Sequence, residues 1–167
     1  MKKLLVILSL IFLALPAFAE YIPIPANRQA EYKAEIEKYV NYKYKYTIKK
    51  INRIYAQANG KYQKVLKNHD TYMDFATSNY ESAIFYPILD LFSDMIKITK
   101  KYVNIPNGIP ATDCTGALYD FLEPYLKNNN INTKTIDNLS KYARNKQKEI
   151  EQYYDNTHKL VYPNDNY

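Results

Sequence analysis

The sequence predicts an all-α protein, an antiparallel helical bundle of four to five helices with a long N-terminal helical hairpin. Three observations carry this expectation. Apolar residues recur at spacings of three and four over most of the chain, which is the repeat of one helical face. No stretch alternates apolar and polar residues with period two, and only three glycines occur among 167 residues, so strands joined by tight turns have little to build on. Between the apolar positions stand mainly Lys, Glu and Gln, which favour helix where packing does not decide. A hydrophobic fraction of 47%, a charged fraction of 24% and a single cysteine exclude a disordered, collagen-like or disulfide-stapled chain.

The first nineteen residues read as an export signal rather than as part of the bundle. Met1-Lys2-Lys3 is a basic start, residues 4–15 form a 12-residue apolar run, and Pro16-Ala17-Phe18-Ala19 ends in the small-x-small pattern of a cleavage site. As a helix that run reaches about 18 Å against a hydrocarbon core of about 30 Å, so cleavage before Glu20 is expected in place of a membrane anchor. The expected organisation is a signal peptide at residues 1–19 and one all-α domain at 20–167 with frayed termini. Loss of Lys2 and Lys3 lowers the formal net charge from +6 to +4. No cysteine follows the cleavage point to carry a lipid, and no later apolar run is long enough to span a bilayer. Such a chain is expected to be exported, to the periplasm or the cell exterior, and the brevity of the signal points to a bacterial source.

The first helix is expected from Asn27 to about Ala58, with Ile36, Val40, Tyr44, Ile48, Ile51, Tyr55 and Ala58 on one face. Pro25 and the N-cap candidate Asn27 open it. Asn59-Gly60 supplies a stop or a bend, after which Tyr62, Val65, Leu66, His69, Met73, Ala76, Tyr80 and Ala83 continue helical spacing. Burial of both stripes favours a hairpin turning at Asn59-Gly60 over one bent helix. Tyr86-Pro87 opens a third helix, because proline suits a first turn, with Ile88, Leu91, Phe92, Met95, Ile98 and Tyr102 facing inward. Residues 104–112 hold Pro106, Gly108 and Pro110 and read as a loop. A short helix is expected from Asp113 to Leu126, bent or broken near Pro124, followed by an asparagine-rich loop from Asn128 to Thr133. Thr135 caps a last helix whose inner face is Ile136, Leu139, Ala143, Ile150 and Tyr153 or Tyr154. Tyr162-Pro163 begin a frayed tail.

Charge is segregated along the chain. Between Lys38 and His69 lie nine Lys and Arg and no acid, whereas Asp70 to Ile96 holds five acids and no Lys or Arg. Two readings follow: the basic hairpin packs beside the acidic third helix and pairs with it, or a basic surface attracts an anionic partner in a salt-dependent way. Tyrosine is also abundant, at 19 residues, but Lys, Asn, Ile and Tyr share codons rich in A and T, so position must decide its meaning. On the first helix Tyr32, Tyr39, Tyr42 and Tyr46 fall opposite the stripe centred on Tyr44, Ile48 and Ile51. Lys49, Lys50 and Arg53 continue that side. Tyr32, Tyr39 and Tyr46 are spaced by seven and form a row. The row is either covered by other helices or offered to a partner, for which tyrosine gives a stiff contact area and lysine gives attraction. These seven residues are the candidate partner-binding set.

The sequence holds little that points to catalysis. It has no Glu-x-x-His pair, no Cys-x-x-Cys-His and no glycine-rich phosphate loop, so no cofactor or metal is expected. His69 falls in an apolar stripe and reads as a packed residue. Asp155 and His158, three apart, read as a solvated pair near a helix end. Cys114, in Thr112-Asp113-Cys114-Thr115-Gly116, is either buried and inert or able to bridge two chains. A helix start lowers a thiol's pKa, which makes an exported enzyme with Cys114 as nucleophile and His69 or His158 as base the alternative reading, although Asp113 opposes thiolate formation. A ligand or metal carrier using the bundle interior is a third. Asn138-Leu139-Ser140 matches a glycosylation sequon but falls on a predicted helix. The leading expectation is a non-enzymatic exported helical protein that binds a protein or an anionic envelope polymer through its basic, tyrosine-rich hairpin. Export argues against nucleic acid as that partner, and a face rich in Tyr without Trp and Leu is a poor one for membrane insertion.

Overall fold

The computed structural model describes residues 21–105 and 114–164. The expected leader and most of the expected 104–112 loop lie outside the described residues. A 3₁₀ turn at Ala26–Arg28 leads into α1 (Gln29–Lys67), and a second at His69–Thr71 leads to two short helices, α2 (Tyr72–Ala76) and α3 (Tyr80–Ala83). Three longer helices complete the order: α4 (Tyr86–Thr99), α5 (Thr115–Asn128) and α6 (Lys134–Val161). Among the described residues there is no strand, as the all-α expectation requires.

Side-chain pairs fix the directions of these rods. Tyr32 meets Thr99 and Lys50 meets Asp90, so α4 runs antiparallel to α1. Asn52 meets Tyr142, Tyr55 meets Glu149 and Tyr62 meets Tyr153, so α6 returns parallel to α1 and antiparallel to α4. α5 lies on α4, where Tyr119 contacts Phe92 with ring centroids 5.7 Å apart. The core between them is built from Ile36, Ile51, Ile88, Met95, Leu122 and Ile150, each at most 1% exposed, and burial of each such side chain contributes about 1.5–3 kcal/mol.

The predicted turn at Asn59-Gly60 is not there. α1 passes through both residues without a break and stops eight residues after Gly60, at Asn68, whose backbone is extended. A glycine inside a helix costs about 1 kcal/mol relative to alanine, and the contacts beyond it outweigh that cost. Tyr62 stacks on Tyr153 with centroids 4.4 Å and planes 7° apart, and Val65 is fully buried. The second arm of the hairpin is therefore short and broken. Phe75 of α2 is its only fully buried ring and stacks on Tyr154 at 4.4 Å. His69, expected to be packed, is exposed in the 3₁₀ turn that reverses the chain.

The third helix matches its expectation. It opens at Tyr86 with Pro87 in its first turn, and Ile88, Leu91, Phe92, Met95, Ile98 and Tyr102 are all buried. Pro124 does not end α5, which continues to Asn128. The chain then turns on Asn130 at φ 51°, a left-handed conformation that asparagine tolerates better than other side chains. Ile131 N–H bonds Leu126 C=O at 3.0 Å and Asn130 N–H bonds Lys127 C=O at 3.1 Å, the double closure of a Schellman end. The cap of the last helix is Thr133 in place of Thr135, with Thr133 Oγ1 donating to Asp137 at 3.0 Å. Its inner face is the expected one, and Tyr162 is not frayed: its ring lies 5.6 Å from Tyr72 and 5.1 Å from His158.

Candidate functional site: the outward face of α1

Helix geometry sorts the candidate tyrosines. Seven residues at 100° each fall 20° short of two turns, so a row spaced by seven drifts around the rod. Tyr32 starts that drift on the buried side. It is fully covered, its hydroxyl 3.0 Å from Thr99 Oγ1, and burial pushes its pKa up to about 12. Tyr39 is half-buried and donates to Asp94 at 2.5 Å. Tyr46 is 53% exposed and Tyr42, on the next row outward, is 77% exposed. The sequence reading placed Tyr32 in the candidate partner-binding set, and the structure places it in the core. Tyr44 and Ile48, expected at the centre of the stripe, are half-buried on its α6 edge.

Between α1 and α4 lies a groove of about 210 Å³ whose walls include Tyr39, Lys43, Tyr46, Lys50, Asp90 and Asp94. The Lys43 ammonium lies 5.6, 5.9 and 5.5 Å from the ring centroids of Tyr39, Tyr42 and Tyr46, within cation–π reach of all three. Lys50 is 5.0 Å from the Tyr46 ring and 2.9 Å from Asp90, and that carboxylate raises its pKa. Asp94 accepts from Lys97 at 2.8 Å. The Lys97 and Tyr39 hydrogen bonds hold its carboxyl below the usual range, while burial and then Asp94 push the Tyr39 hydroxyl up. Cations and acids of the groove thus satisfy one another. The basic and acidic segments of the sequence do share an edge here, but only Lys43 and Lys50 of the nine take part.

The outward side of α1 is different. Lys38, Lys45, Lys49 and Arg53 are exposed, and among the described residues none forms an ion pair. With Tyr42 and Tyr46 they make a surface of cations and phenol rings that holds no acid from Lys38 to Lys67. Lys38 and Lys45 belong to this set although they fell outside the seven candidates, and Lys50 leaves it. A second contribution was missed altogether. From Asn138 to Lys148 the last helix carries Lys141, Arg144, Lys146 and Lys148 without an acid. The same count of charge runs that flagged α1 could have found it.

The residues of the enzyme reading are dispersed. Cys114 is exposed at the position before α5. Tyr119, five residues on, touches Phe92, which lies on α4 between the partners of Lys50 and Tyr39. His69 lies beyond the end of α1, in the 3₁₀ turn that reverses the chain. His158 shares the His69 end, its ring 6.2 Å from Tyr72. Among the described residues no group of three or more His, Cys, Asp and Glu is arranged to hold a metal ion, and no helix is long and apolar enough to cross a membrane. Asn138 lies on α6 beside the fully buried Leu139. Compared with known proteins, the chain matches no family model, no curated protein and no solved structure.

Proposed function

We infer that this is an exported, non-enzymatic binding protein whose contact surface is the outward face of α1, and that its partner is acidic. One observation carries the reading: Lys38, Lys45, Lys49 and Arg53 stand exposed, without ion pairs among the described residues, beside Tyr42 and Tyr46, on a helix whose other sides are engaged by α4 and α6. A surface of one sign raises the local concentration of opposite charge and speeds encounter, with an effect that salt weakens. Tyrosine adds contact area at small entropic cost. Export rests on the basic start, apolar run and small-x-small ending of residues 1–19.

The test uses envelope extracts applied to immobilised protein at low and high salt. An acidic component should be retained at low salt, released at high salt, and lost from a Tyr42→Ser, Tyr46→Ser, Lys49→Gln variant that melts at the unchanged temperature. Equal retention by that variant would overturn the reading. For export, the mass of the chain recovered from cells should correspond to a start at Glu20, in the fraction outside the cytoplasm. A chain with its first nineteen residues intact, found with cytoplasmic proteins, refutes it.

A further inference from the structure

We propose that the acidic partner is an anionic phospholipid surface, bound through headgroup contact by α1 and α6 together. The proposal rests on the reading of α1 above and names the chemistry of its partner. Its basis is the way the two helices lie. Tyr142 of α6 donates to Asn52 of α1 at 2.5 Å, and Tyr55 donates to Glu149 at 2.5 Å, so the rods run parallel and in contact. On α1, Lys38 and Lys45 stand fourteen and seven residues before Asn52, in its own row, and Lys49 stands one turn before it. On α6, Lys141 adjoins Tyr142 and Lys134 stands seven residues earlier on the row of Lys141. For two parallel right-handed helices whose buried sides point the same way, these positions face the same side of the bundle.

Lys38, Lys45, Lys49, Arg53, Lys134 and Lys141 are all exposed, and among the described residues none is engaged by a carboxylate or an aromatic ring. Of the acids beside this face, Glu149 is held by Tyr55 and by Lys146 at 2.9 Å, and Asp137, one turn from both Lys134 and Lys141, accepts from Thr133 Oγ1 at 3.0 Å. The face extends about 22 Å from Lys38 to Arg53 and is two helices wide, with axes roughly 10 Å apart.

Breadth and composition select the occupant. A specific protein interface has an apolar centre and few lysines, whereas here lysine dominates and the exposed rings, Tyr42 and Tyr46, lie at one margin. A single linear polyanion would need one row of cations, and two rows on neighbouring rods fit a layer of phosphates. Tyrosine suits the headgroup level of a bilayer. Because the face lacks exposed Leu, Phe and Trp, binding would come from charge without insertion, at roughly fivefold in affinity per cation, the equivalent of ~1 kcal/mol each.

Sedimentation of the purified chain with vesicles tests this. Phosphatidylcholine vesicles with about one-third phosphatidylglycerol should carry the protein down at low salt and release it at high salt, while pure phosphatidylcholine should not bind. All variants keep the same first nineteen residues, so any apolar contribution from them cancels. Lys134→Gln with Lys141→Gln should weaken binding by about 25-fold, and the four-site α1 variant Lys38→Gln, Lys45→Gln, Lys49→Gln, Arg53→Gln by on the order of 600-fold. Lys100→Gln with Lys127→Gln, equal in charge to the α6 pair but placed after α4 and on α5, should change it less than twofold. Melting curves verify that each variant folds. Loss with the α1 set but not with the α6 pair overturns the two-helix surface and leaves the binding role of α1 standing. Equal loss with the control pair reduces the effect to net charge and overturns both. Failure to bind vesicles together with tight binding of soluble polyphosphate, or of an acidic protein from the extracts, overturns the lipid assignment alone.

Discussion

The two ends of α1 are fastened by different chemistry. Near its start, hydroxyl and charged groups make the bonds: Tyr32 to Thr99 at 3.0 Å, Tyr39 to Asp94 at 2.5 Å, and Glu35 to both Lys101 at 2.5 Å and Tyr102 at 2.7 Å. Near its finish, ring faces do: Tyr62 lies flat on Tyr153 and Phe75 flat on Tyr154, each pair at 4.4 Å. Tyrosine supplies both ends. At the first its oxygen makes the named bonds, and at the second its ring makes the stacks while the Tyr153 and Tyr154 hydroxyls also bond Tyr55 and the Ser78 carbonyl. The difference teaches that an excess of one residue type, which base composition alone can produce, is put to use by burial and partner rather than by identity.

Substitutions that separate ring from oxygen will break or sharpen this contrast. The largest effect is expected for Tyr32→Ala, which empties a fully buried site and should cost about 3–5 kcal/mol in denaturant unfolding. Tyr46→Ala, two heptads away in the same row, should stay within about 0.5 kcal/mol. Equal costs would show that the row does not drift from core to solvent.

Next in size is alkaline pH. The Tyr32 hydroxyl, ordinarily near 10, sits at about 12 in the folded chain, chiefly through burial. Its contribution is full below pH 10 and is lost as pH climbs toward 12, amounting to about 2–3 kcal/mol. Tyr39 and Tyr102 shift in the same direction, burial first and then a carboxylate partner. Stability followed by circular dichroism should fall across that window, and Tyr32→Phe should flatten part of the fall. In acid the sign reverses. Hydrogen bonds from Lys101 and Tyr102 depress Glu35, and those from Lys97 and Tyr39 depress Asp94. Their contribution is present above the ordinary carboxylate range and fades as pH drops through and below it.

Removing oxygen alone gives a smaller and more discriminating result. Tyr32→Phe should cost about 1 kcal/mol, because Thr99 keeps its bond to the Met95 carbonyl at 2.9 Å. Tyr62→Phe should cost less than about 0.5 kcal/mol, because its ring is what packs. Similar costs for the two would erase the distinction between the ends. The smallest change expected is a gain. A methyl group at Gly60 meets nothing within 4 Å, so Gly60→Ala should stabilise by about 0.5–1 kcal/mol in thermal unfolding. A loss instead would restore the turn that the sequence suggested there.

That turn shows where sequence reasoning stops. The α4 face could be read in full, because Pro87 marks the start and the three-and-four spacing runs unbroken to Tyr102. At Asn59-Gly60 two local signals for a stop were opposed by contacts that join residues more than ninety positions apart, as Tyr62 with Tyr153, and nothing local announces those. The same limit misplaced Tyr32. Spacing by seven gave the row, but where the row leaves the core depends on which flank α4 occupies. The basic outward surface was half legible. Its α1 and α6 parts are each a run of charge without acids, but that the two lie on one side of the bundle needed the register in which Asn52 meets Tyr142.

The unbroken passage of α1 through Gly60 has a mechanical consequence. A hinge at that point would let the two ends swing, whereas one rod of 39 residues, about 58 Å long, acts as a strut. Anything that grips Arg53 is thereby held at a set distance from the aromatic end, and torque applied at one is delivered to the other.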